Sequence, residues 1–444
     1  MYPKKLTPVL NRLGGYNNNV YKIMPLNADA ITSGKIISVR LPSNALVDMS
    51  SFAMHFDVVT LGGDSAGEGG CRLPNNLSTL IERVEVLCGG QTIQQGFNGY
   101  GTAKHILDTV GGSSCKRYSR QVLDHPSVVG TSTNLFDSYG AAIAVTADEK
   151  YEKGPSFIIT DWLGFIGESV PKVLDLGLMS EVQIRITLAN TNVLVKAATG
   201  SKCNEFTLSG VYFTLNTLSV DGVYETLLED KIKRDGFLEI PYKNYFTTFS
   251  SHSGSTRFSN SSQSIDKIYA VLRDSSYNTN AEADPVSTGP GKLHHTNTEI
   301  SRYLKFNASN NILADGTLQN HATTPALRAA GTGAVTHWQF QINNVLYPQY
   351  LAKPLDAYRM LELAADSKVM EIPNMQAFLD QYAIFPVRLN CDNEIGHING
   401  FDSRNTNSIM EFTTNSQQFK EAFILVETTA TLKVGAGKAM EIVL

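Results

Sequence analysis

The stretch GGDSAGEGG, residues 62–70, contains G-x-S-x-G around Ser65, the spelling that in many hydrolases surrounds a nucleophilic serine. That chemistry requires a sharp turn from strand into helix, which holds the hydroxyl clear of the sheet. After Gly67 the chain reads EGGCRLPNN, a run of helix breakers. The only histidine upstream is His55, ten residues earlier on the adjoining strand, whereas a triad needs its base delivered from a separate element. Ser65 therefore reads as part of a glycine-rich connection between strands.

Other residues with chemical potential resolve in the same way. His294 and His295 are neighbours in an extended loop, so their rings point apart, and no third ligand stands at a metal-binding spacing. Asp161 and Glu168 flank Trp162 and Phe165 in TDWLGFIGES, a pattern that would suit a glycosidase cleft. Seven residues apart around two glycines, they read more simply as a turn with aromatic anchors. Gly34-Lys35, Gly291-Lys292 and Gly437-Lys438 are followed by Ile, Leu and Ala, where a phosphate-binding loop needs Ser or Thr. His55 lies on the polar side of its strand, facing solvent or a subunit contact. No catalytic, cofactor-binding or metal-binding residue is assigned, and no cofactor is expected.

Composition narrows the partners. Lys and Arg number 37 against 42 Asp and Glu, a net charge of -5, and no basic run exceeds a pair or two. Sequence-specific nucleic-acid binding, which needs clustered cations, is not expected. Only 18% of residues are charged, and Asn, Ser and Thr take up the difference, as suits a surface made for large protein contacts. Lys4, Lys5 and Arg12 read as part of an arm touching a neighbouring subunit or an acidic surface. The five cysteines, Cys71, Cys88, Cys115, Cys203 and Cys391, lack any C-x-x-C pair and read as reduced, buried thiols. The N-terminal MYPKKLTPVLNRLGGYNNN has no apolar signal core, and no window approaches the ~20 apolar residues of a membrane span, so a soluble, non-secreted chain is expected. Sequons at Asn76, Asn260 and Asn307 are no more than an Asn- and Ser-rich chain produces by chance, and they leave glycosylation open.

The elements that would carry these residues are mostly strands. In FAMHFDVV, Phe52, Met54, Phe56 and Val58 share one face while Ala53, His55 and Asp57 share the other. EVQIRITL, KIISVRL, FLEIPY, GVYFTL and SIMEFT alternate in the same way. Such half-buried antiparallel strands, spaced by Gly, Asn, Ser and Pro turns, predict an all-β fold of packed sheets. Helices are expected near GTAKHILDTV and DAYRMLELAA, and these two repeat one another at an offset of 254, Ala103 on Ala357 and Ile106 on Met360. The offset extends backwards: Val84, Val86 and Cys88 fall on Trp338, Phe340 and Ile342, and Gly89-Gly90 falls on Asn343-Asn344. Both pairs tolerate the positive φ that a tight hairpin demands, so the shared requirement is backbone shape and the chain carries an internal duplication. The charged stretch 224–236 separates the halves, with domains expected at 35–228 and 229–444 and a long surface insert at 278–335.

The segment IERVEVLCGGQTIQQGFNGY followed by a helix resembles the strand, turn and helix in the first barrel of double jelly-roll major capsid proteins from polinton-like viruses, virophages and nucleocytoplasmic large DNA viruses. KIISVRLPSN, VLDLGLMSEVQIRITLA, DGFLEIPYKN, WQFQINNVLYPQ with DAYRMLELA, and DNEIGHINGFDSRNTNSIMEF agree in order, so the likeness spans nearly the whole chain. It implies two tandem eight-stranded jelly rolls, each of two four-stranded sheets, with a few short helices in the connections. It further implies a homotrimer forming a pseudo-hexameric capsomer in an icosahedral virion, with residues 1–34 as an inner arm and 278–335 in an outer tower. Neighbouring capsomers, penton and minor capsid proteins would be partners, an internal membrane is admitted, and no small-molecule substrate is implied. The alternative is a double jelly-roll protein that binds or cleaves glycans; a phage tail or spike component is a third reading.

Overall fold

A computed structural model describes residues 17–27, 31–62, 71–74, 76–111, 123–124, 156–196, 203–219, 223–273, 281–282, 306–308, 335–365, 372, 375, 378–379, 382–391, 398–404, 409–415 and 421–444. Alternating side chains build the strands as the period requires: Val182–Leu188 buries every second residue, and Ile36–Arg40 hides Ile37 and Val39. The first barrel contains β1 (Asn17–Ile23), β2 (Ile36–Arg40), β3 (Leu46–Gly62), β4 (Ile81–Cys88), β5 (Gln91–Gln94), β6 (Ser156–Ile159), β7 (Val182–Leu188) and β8 (Cys203–Ser219). They form two antiparallel sheets ordered β1-β8-β3-β6 and β2-β7-β4-β5.

The second barrel contains β9 (Phe237–Ser251), β10 (Ser255–Ser259), β11 (Ile265–Arg273), β12 (Trp338–Ile342), β13 (Val345–Ala352), β14 (Ile384–Arg388), β15 (Ile409–Thr414) and β16 (Glu421–Gly435). Their sheets run β9-β16-β11-β14 and β10-β15-β12-β13, which is the first barrel's order with eight added to every label. Each barrel is therefore an eight-stranded jelly roll. Short additions hang on this frame: Ile31–Thr32 pairs β8, Val173–Asp175 pairs β3, and Met440–Val443 pairs β16. A small separate sheet joins the barrels, in which Val195–Lys196 pairs Cys71–Arg72 and also Ala281–Glu282 from the expected surface insert.

The duplication is visible at residue level. Helix α1 (Tyr100–Gly111) and helix α3 (Pro354–Ala365) both start and end 254 residues apart. The turn residues Gly89 and Gly90 have φ of 56° and 85°, and Asn343 and Asn344 have 48° and 65°. Glycine and asparagine thus meet one left-handed backbone requirement. Val84, Val86 and Cys88 point into one core, as Trp338, Phe340 and Ile342 do in the other.

Two expected boundaries move. Residues 17–23, placed by sequence in an arm, pair with Phe213–Ser219 as β1, the counterpart of β9 and the first strand of the first jelly roll. The pattern missed it because six of its seven residues are exposed, and alternation is written into a sequence only where one face is buried. The division at 228/229 falls inside helix α2 (Val223–Asp235), which bridges the barrels. Ile232 anchors this helix, Lys233 and Arg234 complement its C-terminal dipole, and Gly236, at φ 85°, ends it by donating its N–H to the Ile232 carbonyl at 2.8 Å.

Candidate functional site at the junction of the barrels

Ser65, His294, His295, Lys4, Lys5 and Arg12 lie outside the described residues, as do Cys115, Gly291-Lys292 and most of the insert at 278–335. Asp161 and Glu168 take separate partners. Asp161 pairs with Lys104 at 2.7 Å, and the same buried ammonium reaches Asp108 at 2.8 Å. Glu168 accepts from the Gly164 N–H at 2.8 Å and from the Tyr245 hydroxyl at 2.9 Å. Burial pushes its carboxyl up to about 7, and Glu427 adds to the rise. The aromatics between them are anchors: Trp162 is buried and donates Nε1–H to the Phe52 carbonyl at 2.9 Å, while Phe165 meets Tyr242 edge-on at 5.3 Å.

The remaining candidates also have structural occupations. The His55 ring stacks on Tyr212 at 4.5 Å and bonds Thr214 at 3.0 Å, with its pKa lowered by burial and by Lys22. Burial raises the Cys88 thiol to about 11, which leaves it inert, whereas Cys391 is exposed. Cys71 and Cys203 begin strands. Asn76 is buried, donates its amide to Asp108 at 3.0 Å and caps Ser78, so the folded chain gives a glycan no access there; Asn307 is buried as well. Among the described residues no three His, Cys, Asp or Glu side chains gather as a metal site.

Distant residues also meet at the seam where β9 crosses the first barrel. Tyr242 is fully buried and donates its hydroxyl to the Ile93 carbonyl on β5 at 2.8 Å. Val170 N–H reaches the Pro241 carbonyl at 2.9 Å, and Thr247 reaches the Asn98 carbonyl at 2.9 Å. The Tyr245 ring packs 5.9 Å from Phe97, and burial together with Glu168 holds its hydroxyl far above the ordinary tyrosine range. Gly99, at φ 78°, lies under Phe249, where a Cβ would stand 2.7 Å from the ring. Sequence reading missed Tyr242 and Tyr245 as seam residues. The available signal was FLEIPYKNYF itself, whose second half breaks alternation; residues 242–245 are all buried because the strand is covered on both faces.

Exposed apolar side chains gather elsewhere, chiefly along β1 with Met24 and Leu26, and along β13 with Leu355 on α3. These surfaces are suited to protein contact.

No protein-family model and no curated protein sequence matches the chain. Solved structures do. The Faustovirus major capsid protein superposes with a TM-score of 0.60 at 8% identity, over 98% of this chain and 93% of that one. The PBCV-1 virus capsid gives 0.57 at 12% identity over 99% of both chains. The Sputnik virophage gives 0.55 at 11% identity, over 100% of this chain and 92% of that one. What is shared at such low identity is the fold, a double jelly roll running through the whole chain.

Proposed function

We propose that the chain is a major capsid protein that acts by assembly and catalyses nothing. The observation that carries this reading is the repetition of one strand order in two barrels of one chain, with the hairpin and helix at a constant offset of 254. Three such chains supply six near-equivalent blocks, enough for a pseudo-hexameric capsomer that tiles an icosahedral shell. The end-to-end likeness to the PBCV-1 capsid and the Faustovirus major capsid protein supports it. So does the engagement of Asp161 by Lys104 and of Glu168 by Tyr245, which occupies both carboxylates of that pair with partners in the fold. On this reading the chain resides in the virion, and its partners are its own copies, neighbouring capsomers, penton and minor proteins, and any membrane beneath the shell.

Permanent subunit contacts of this kind bury more than ~2,000 Å² and survive dilution. Light scattering of the purified chain should therefore give three times 48.5 kDa, and negative-stain images should show hexagonal blocks. A stable monomer at micromolar concentration overturns the reading.

A further inference from the structure

We propose that Lys243 and Asp266 condense with one another into an internal amide, with Glu427 moving the proton, so that the folded chain joins β9 to β11 by a covalent bond. The reaction occurs once per chain, on the chain itself, and does not depend on assembly. Three neighbouring strands, in the order β9-β16-β11, supply the parts. Lys243 on β9 stands opposite Thr429 on the central strand β16, and Glu427 lies two residues along β16 on the same face. On β11 the register slips between Ile265 and Lys267, and Asp266 is the extra residue. A bulge of this kind re-aims a side chain, and here the Asp266 carboxylate reaches across β16 to Lys243.

The arrangement is that of a reactant pair. Lys243 Nζ lies 2.6 Å from Asp266 Oδ2 and 3.3 Å from Glu427 Oε1. Asp266 Oδ1 accepts from the Ser264 hydroxyl at 2.7 Å, and that hydroxyl accepts in turn from the Gly400 N–H at 3.0 Å. Oδ2 also accepts from the Thr429 hydroxyl at 2.6 Å. The Lys243, Asp266 and Glu427 side chains are 8%, 2% and 8% exposed, so the trio is shielded from the water that would hydrate its charges. Before reaction the two carboxylates hold Lys243 as the ammonium, and attack therefore waits on proton transfer. Opposite charges are costly to keep in such a place, and one proton crossing from Nζ to Oδ2 leaves a neutral amine beside a carboxylic acid. The amine attacks Cγ and a C–N bond forms, while charge collects on Oδ1, where Ser264 donates. Glu427 takes a second proton from the nitrogen and returns it to Oδ2, which leaves as water. The nitrogen keeps one of its three protons, nothing is oxidised or reduced, and Glu427 ends as it began. Groups held in contact react as if at about 10⁵ M or more, which favours condensation over hydrolysis. Lys104 sets the contrast: it too meets two carboxylates, but Asp108 and Asp161 are 18% and 36% exposed, and hydration keeps that trio ionic. The bond fixes β9, which carries the seam residues Tyr242, Tyr245 and Thr247, to the sheet of the second barrel.

Intact-mass spectrometry of the full-length chain, folded and then denatured, tests this. The mass should fall below that of the sequence by one water, and a tryptic digest should contain a branched peptide joining Lys243 to Asp266. Asp266→Asn should form the same bond by losing ammonia and so reach the same final mass as linked wild type. Lys243→Arg should keep the full mass of its sequence. In chains made by cell-free synthesis and sampled over time, Glu427→Gln should link at least ~100-fold more slowly than wild type. Should circular dichroism show that variant unfolded, Glu427→Asp, which keeps the charge but withdraws it from Nζ, takes its place and should also link more slowly. A folded wild-type chain at its full sequence mass overturns the bond, as does a water lost at any other residue. A folded Glu427 variant that links as fast as wild type overturns the proton transfer assigned to that residue.

Discussion

The sheet β1-β8-β3-β6 and its counterpart β9-β16-β11-β14 share one strand order and differ in how they meet their surroundings. In the first, β3 alternates: Phe52, Met54, Phe56 and Val58 are buried, while His55 and Asp57 are only partly covered. In the second, β11 is buried at every one of its nine positions and β16 through most of its length. A sheet covered on both faces must satisfy whatever polar groups its second face carries. Lys243 does so by reaching Asp266 at 2.6 Å, Glu427 at 3.3 Å and Thr429 at 3.2 Å, and Arg273 pairs with Glu421 at 2.5 Å. The first barrel's equivalent face carries the open ladder of Lys22, Tyr212 and His55 instead. One topology can thus present either an interior or a surface, depending on what lies against it.

The largest effect should come from removing a charge on the covered side. Burial pulls the Lys243 ammonium down, and Glu427 and Asp266 more than offset it, leaving its pKa raised. Lys243→Met would strand two buried carboxylates and should cost about 3–5 kcal/mol in urea unfolding. Lys22→Met on the first barrel should cost under about 0.5 kcal/mol. Equal costs would erase the distinction between the faces.

The seam between the two sheets should respond to pH through Glu168. Its carboxyl is raised from 4.5 to about 7, so the fold binds its proton more tightly than the unfolded chain does. The stability it contributes is complete below pH 4.5 and is lost as pH rises through about 7, a change on the order of 2–3 kcal/mol. Glu168→Gln should remove that part of the stability–pH curve, measured by urea unfolding between pH 4.5 and 8; an unchanged curve would show that the seam does not hold the proton.

Gly99 sharpens the contrast between the barrels. The offset of 254 places it opposite Lys353, which is exposed, because among the described residues no counterpart of β9 lies over that position. Gly99→Ala should cost about 1–3 kcal/mol in thermal unfolding through the Phe249 ring and the strained φ, while Lys353→Ala should cost almost nothing. The smallest effect belongs to what the barrels share. Gly90 has no atom within 4 Å of an added Cβ, so exchanging the turn residues by Gly90→Asn or Asn344→Gly should change stability by less than about 0.5 kcal/mol. A loss above about 2 kcal/mol would show that the turns are not equivalent.

Much of the architecture was legible because it rests on local rules. Alternation marked β3 and β7, the spacing of Ala103, Ile106 and Val110 marked α1, and Gly-Gly against Asn-Asn marked one turn geometry written twice. Those signals located the repeat and its offset. Strand β1 escaped, since a segment exposed on both faces writes no period. The catalytic spelling around Ser65 and the carboxylate pair Asp161 and Glu168 showed the opposite failure, where a local pattern suggested chemistry that the flanking residues or the fold do not support.

The sequence by itself determined the two barrels, their duplicated hairpin and helix, and the lack of a clustered positive charge. Only the tertiary structure decided that Tyr242 and Tyr245 close a seam on Ile93 and Glu168, that Lys243 is a buried cation, and that β1 and β13 carry exposed apolar side chains. The reason is physical: a residue's alternation reports one face of its own strand, whereas what lies against the other face is set by segments elsewhere in the chain, as Ile93 is for Tyr242, brought there by packing.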